Sequence, residues 1–174
     1  SPRGEGTDPL TQIPAAETEW ELGEPDLIVD LPAFDIPATG VLDYQFFEVK
    51  NPLDRDVWVK AVQISPGDRQ VVHHAIATFG ASSTLGADSD SGESLLQPQL
   101  MTFVPGNETY IYPEDTGVYV PANSSFYTQM HYTTYGRATS DQTRIGLYFA
   151  DEPPKHVLQH YSILNLDLEI PAGV

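Results

Sequence analysis

The chain has 174 residues, 40% hydrophobic and 19% charged, which is enough apolar material for one core and excludes global disorder. Its 8 basic and 25 acidic residues give a formal charge of −17, which argues against nucleic acid as a partner, because phosphate binding needs basic patches. No run of about 18 apolar residues occurs, so no helical membrane span is expected. The surplus of acid keeps a surface soluble by repulsion, or serves docking to a basic partner such as a small cytochrome.

Fifteen prolines and thirteen glycines favour short strands and turns over a helical bundle. Residues 1–19, SPRGEGTDPLTQIPAAETE, are polar and lack periodicity, and read as an acidic, Pro-rich linker or extended arm. Residues 1–48 hold eleven acidic residues and one basic residue, Arg3, a solvated acidic flank. From Trp20 the pattern changes: DLIVDLPAFDIPATG gives short apolar runs cut by Pro32 and Pro37, as edge strands are. VLDYQFFEVK (41–50) and DVWVKAVQI (56–64) read as strands. In the second, Val57, Val59 and Ala61 share one face, with Trp58, Lys60, Val62 and Ile64 on the other. SPGD (65–68) is a turn with proline second.

RQVVHHAIATF then reads as a mostly apolar strand, and ASSTLGADSDSGES (81–94) as a mobile surface loop. Short β segments follow in QLMTFVPG and ETYIYPEDTGVYVPANSS. SFYTQMHYTTYG (125–136) and RIGLYFA (144–150) are strands, and ILNLDLEIPAG ends the chain in alternation. No three-turn helical period stands out. The expected fold is an all-β, antiparallel jelly-roll β-sandwich. The arm-like start and the alternation running into LEIPAGV lead us to expect further protein on both sides.

The chain has five histidines and no cysteine, yet His73 and His74 are adjacent. Neutral imidazoles without thiolate suit Cu(I)/Cu(II) or Zn(II). Neighbours in a regular strand point to opposite faces, so the pair can grip one ion only where the strand is twisted or bulged. Otherwise one histidine packs in the core and the other faces water. His131 adds a third candidate ligand from a distant strand, on a face with Tyr127, Gln129 and Thr133. Met130 takes the opposite face and is expected, like Met101, to pack in the core.

VVHHAIATFG, PEDTGVYVPANSSFYTQMHYTTYG and RIGLYFADEPPK resemble the first domain of the type II copper-dependent monooxygenases, the peptidylglycine α-hydroxylating and dopamine β-type enzymes, and especially their bacterial relatives. WELGEPDLIVDLP looks like the entry to that domain, so the resemblance covers roughly residues 20–174. It implies a jelly-roll holding an electron-transfer copper by His73, His74 and His131. It also implies a second domain with an oxygen-activating copper bound through His-x-His and a methionine; no His-x-His occurs in this sequence. On this reading residues 20–155 are the copper-binding jelly-roll domain, and residues 156–174 are a crossover strand leading to the second domain, the expected partner. A cytochrome c-like module is the candidate electron donor, and a periplasmic or extracellular setting is implied.

The remaining candidates carry less chemistry. His156 and His160 stand at i, i+4, but Pro153 and Pro154 precede them, so surface or interdomain packing is expected. Asp88, Asp90 and Glu93 depart from the full calcium-loop pattern. Asn107 and Asn123 fit the glycosylation acceptor pattern. The function expected is a copper-binding electron-transfer domain, with catalysis by this segment alone not expected. The alternative is a non-catalytic β-sandwich subunit of a larger redox assembly, docking through its acidic surface. A three-histidine zinc hydrolase site, with Glu114 or Asp115 as base, is a third possibility.

Overall fold

The computed structural model describes residues 19–81 and 98–160, together with positions 167, 169, 171 and 173. The expected arm, apart from Glu19, therefore lies outside the described residues. So do the acidic loop with Asp88, Asp90 and Glu93 and most of the alternating chain end.

The described residues form strands and no helix: β1 (Leu27–Asp30), β2 (Phe34–Ile36), β3 (Gln45–Lys50), β4 (Val57–Ser65), β5 (Val72–Ala81), β6 (Gln99–Phe103), β7 (Thr109–Ile111), β8 (Thr116–Val120), β9 (Ser124–Tyr132), β10 (Thr139–Asp141), β11 (Arg144–Phe149) and β12 (His156–Val157). One sheet runs β1-β11-β4-β8-β12, with β7 also on β4; a second runs β3-β9-β5-β6; β10 and β2 pair separately. Pairing is antiparallel except for β12, which lies parallel to β8. The architecture is all-β and sandwich-like. Its apolar core draws on both larger sheets, with Val59, Ile64 and Leu147 from one and Ala75, Phe103, Phe126 and Met130 from the other.

β4 departs from the expected alternation, and the cause is a bulge. Tyr148 pairs with Ala61 but Phe149 pairs with Val59, so Lys60 is an extra residue in β4. Inserting one residue into a period of two swaps the faces. Val57 and Val59 face the core before the bulge, and Val62 and Ile64 face it afterwards, whereas Ala61 drops out of the core cluster. Gln63 and Ser65 then point outward, yet both are buried, because residues 19–23 cover them. The Gln63 side chain accepts from the Glu21 N–H at 2.9 Å and donates to the Glu19 carbonyl at 2.7 Å. Trp20 lies over Gly146, where an added Cβ would meet its ring at 2.7 Å; only a glycine admits that approach. Arg144 pairs with Glu19 and sits over the Trp20 ring, closing the strap.

The expected crossover strand over 156–174 is described only as the two-residue β12 and a short extension. Backbone bonds from His156 to Asp115 and from Leu158 to Gly117 hold it against β8.

Candidate metal centre

The second bulge builds the site. β5 and β9 pair Val72 with Tyr132 and then His74 with His131, so His73 is the extra residue. A bulge sets two consecutive side chains on the same side of the sheet. Burial follows that rule: Val72 is buried, His73 and His74 face outward, and Ala75 and Ala77 are buried again. The regular-strand geometry that would point adjacent imidazoles apart does not hold at this position.

β9 keeps its alternation, with Phe126, Met130 and Tyr132 in the core and Gln129 and His131 outward. His131 is therefore directly opposite His74 on the outer face. One ligand atom from each of His73, His74 and His131 lies within 4.8 Å of the others. The Nδ1 atoms of His73 and His74 are 3.2 Å apart. The ring centroids of His131 are 5.0 Å from His73 and 4.9 Å from His74. Two nitrogens on a tetrahedral ion, each about 2.0–2.1 Å from it, stand about 3.4 Å apart. The adjacent pair already has that spacing, and His131 needs to close by at most about 1.4 Å, a side-chain adjustment.

The donor set fits a metal on a further ground. His131 Nδ1 is buried and has no hydrogen-bond partner. A buried polar atom without a partner is costly, and coordination to an ion would satisfy it. Burial, and then the proximity of His131 and His73, pushes the His74 pKa below its usual value of 6.5. His74 is thereby held as the neutral imidazole that a metal requires. His73 is exposed while His74 and His131 are half-buried, so the cluster opens to solvent on one side.

Tyr44 is a neighbour that sequence reasoning missed. It stands just before β3, whose pairing of Gln45 with Met130 brings Tyr44 alongside His131. Its ring centroid is 4.9 Å from that of His131 and 5.8 Å from that of His74, half-roofing both. Nothing in VLDYQFFEVK marks this role, which depends on the β3–β9 register.

The other candidates lie elsewhere. Glu114 and Asp115 sit between β7 and β8, on the other sheet, where Asp115 pairs with Lys155 at 2.6 Å. They are not placed to serve as bases for the histidines. His156 is exposed on β12, and His160 lies with Nδ1 3.0 Å from the Gln99 carbonyl; neither joins the cluster. Met130 and Met101 are buried in the core, and Asn107 and Asn123 are exposed in turns. Among the described residues no helix is long and apolar enough to cross a membrane. No protein-family profile matches the chain, and no curated protein matches it either.

Proposed function

We propose that this chain is a copper-binding electron-transfer domain of a copper-dependent monooxygenase-like protein, with His73, His74 and His131 as the ligands. On this reading the sandwich is a jelly-roll, and a copper held by the three histidines would supply electrons to an oxygen-activating copper on a second domain. The observation that carries the proposal is the bulge at His73, which turns two adjacent imidazoles onto one face, opposite His131. Three imidazoles without thiolate or carboxylate suit copper or zinc, and the motif resemblance favours copper.

A bound copper supplies one-electron chemistry between Cu(I) and Cu(II). The protein's part is to hold and expose. The β5–β9 ladder fixes the backbones of His74 and His131, so little rearrangement accompanies a change of charge on the ion. The depressed His74 pKa keeps a proton from competing for its nitrogen near neutral pH. The exposed His73 edge provides a short path for electrons from a docked donor. A cytochrome c-like protein in the periplasm or outside the cell is the donor proposed, with the charge of −17 favouring a basic docking face.

Metal analysis and electron paramagnetic resonance of the reconstituted chain test the proposal. One copper per chain is expected, with a Cu(II) signal that ascorbate removes and that His131→Ala greatly weakens. Preferential zinc binding, which is silent in that spectrum, would overturn the electron-transfer role. Copper binding indifferent to His131→Ala would overturn the site.

A further inference from the structure

Asp141, on β10, is completely buried and makes none of the ion pairs found among the described residues. An unpaired buried carboxylate is expensive and calls for a reason. Its three hydrogen bonds supply one. Oδ1 accepts from the Asp68 backbone N–H at 2.9 Å, while Oδ2 accepts from the Tyr132 hydroxyl at 3.0 Å and from Thr143 Oγ1 at 2.7 Å.

One of those donors lies on β9 and another in the turn that leads into β5, the two strands that meet at the bulge. Asp68 opens the turn feeding β5: its carbonyl accepts from the Val71 N–H at 3.2 Å, and Val71 in turn accepts from the Thr133 N–H at 2.8 Å. The turn is pressed so closely on Gln142 that a Cβ at Gly67 would meet its backbone nitrogen at 2.7 Å. Tyr132 lies on β9 directly opposite Val72, the last rung before the extra residue. Asp141 thus ties Tyr132, one side of that rung, to the turn that leads into the other side. The next rung pairs His74 with His131, and His73 lies between the two.

We propose that Asp141 is a positioning residue for the metal centre: by clamping the Asp68 turn and Tyr132 together, it holds β5 and β9 in the register that keeps the bulge at His73. The proposal rests on the three-histidine metal reading. Without the clamp the extra residue can migrate along β5, because only one unpaired position distinguishes neighbouring registers. Each such shift takes an imidazole off the outer face.

The test uses the full chain, Cu(II) ions, a competing chelator and the Cu(II) resonance spectrum, all well below the melting temperature. Tyr132→Phe removes the arm that reaches β9 and keeps the ring stacked on Phe34, 5.2 Å away. Thr143→Val removes the other donor to the same oxygen, which leads toward β11 and away from the histidines. Copper affinity is expected to fall about tenfold in Tyr132→Phe, the lower end of effects seen for outer-shell partners. The spectrum should broaden or split into more than one species. Thr143→Val should lower the melting temperature while leaving affinity and spectrum unchanged. Asp141→Asn should behave as Tyr132→Phe or more severely; where it fails to fold, the two arm variants decide. Equal affinity in Tyr132→Phe and wild type, or equal losses in Tyr132→Phe and Thr143→Val, overturns the positioning role. Failure of the wild type itself to bind copper overturns the metal reading, and this proposal falls with it.

Discussion

Deleting His73 is the sharpest perturbation the structure offers. The residue is the one unpaired position between the rungs Val72–Tyr132 and His74–His131. Without it, the ladder runs on regularly, and every other residue of β5 keeps its face, because Val72 is inward and His74 outward. The deletion removes an exposed side chain and the ordering of one residue, worth about 1–2 kcal/mol of backbone entropy. The metal-free variant should therefore melt at the wild-type temperature or up to about 8 °C higher, at roughly 2–4 °C per kcal/mol for this size. Copper should tell the opposite story. At a free concentration a hundredfold above the dissociation constant, binding stabilises the wild type by about 2.7 kcal/mol, a rise of roughly 5–11 °C. A hundredfold weaker site leaves only about 0.4 kcal/mol, a shift of about 1–2 °C at the same copper concentration. Scanning calorimetry at pH 7.5 with and without Cu(II), with circular dichroism to verify the β content, reads both quantities. A full copper shift in the deletion variant would falsify the role of the bulge. A metal-free melting temperature lowered by 10 °C or more would show that the ladder cannot close without His73.

The copper-induced shift should fade as pH falls through about 6.5 toward 5, since protons compete for the same nitrogens; melting curves across that range at fixed copper check it. The metal-free protein has its own dependence from His74. Its folded pKa is depressed by burial and by His131 and His73, so below about 6.5 the unfolded chain binds the proton more readily. Its contribution to stability is present above the unfolded value and lost as pH falls through the folded one, and His74→Gln should flatten that part of the profile in denaturant titrations. Replacing His156 and His160 together with alanine should leave the copper shift intact; a loss equal to that of His74→Ala would place the site on the wrong histidines. Gly146→Ala drives a Cβ to 2.6 Å from Pro25 and 2.7 Å from the Trp20 ring, so it should lift the strap off β11 and cost about 1–3 kcal/mol, seen as a lower urea midpoint.

Much of the secondary structure was legible because a strand exposed on one face writes its period into the sequence. The runs at 41–50, 56–64, 125–136 and 144–150 became β3, β4, β9 and β11 with shifts of a few residues at their ends. Burial of Met130 and outward placement of His131 followed from the same alternation, which β9 keeps throughout. DVWVKAVQI shows where that reasoning breaks. Its apparent single alternation is two half-patterns joined at Lys60, and beyond the bulge both faces are buried because the strap from Glu19 to Gly23 covers the outer one. Asp141 stands in the polar run TSDQ, where no period marks it, and it is fully buried.

By itself the sequence determined that the chain would be built from strands, where most of them lie, and which few side chains could hold a soft or borderline metal. These follow from local rules: side-chain period, turn residues, and the scarcity of histidine and absence of cysteine. Whether His73 and His74 could act together was a matter for the tertiary structure. A bulge is a mismatch in count between two strands, and β5 and β9 lie some fifty positions apart in the chain. No local pattern in VVHHAIATFG records how many residues of β9 will oppose it; that number is set by the Asp68 turn, by Asp141 and Tyr132, and by the core both strands must fill.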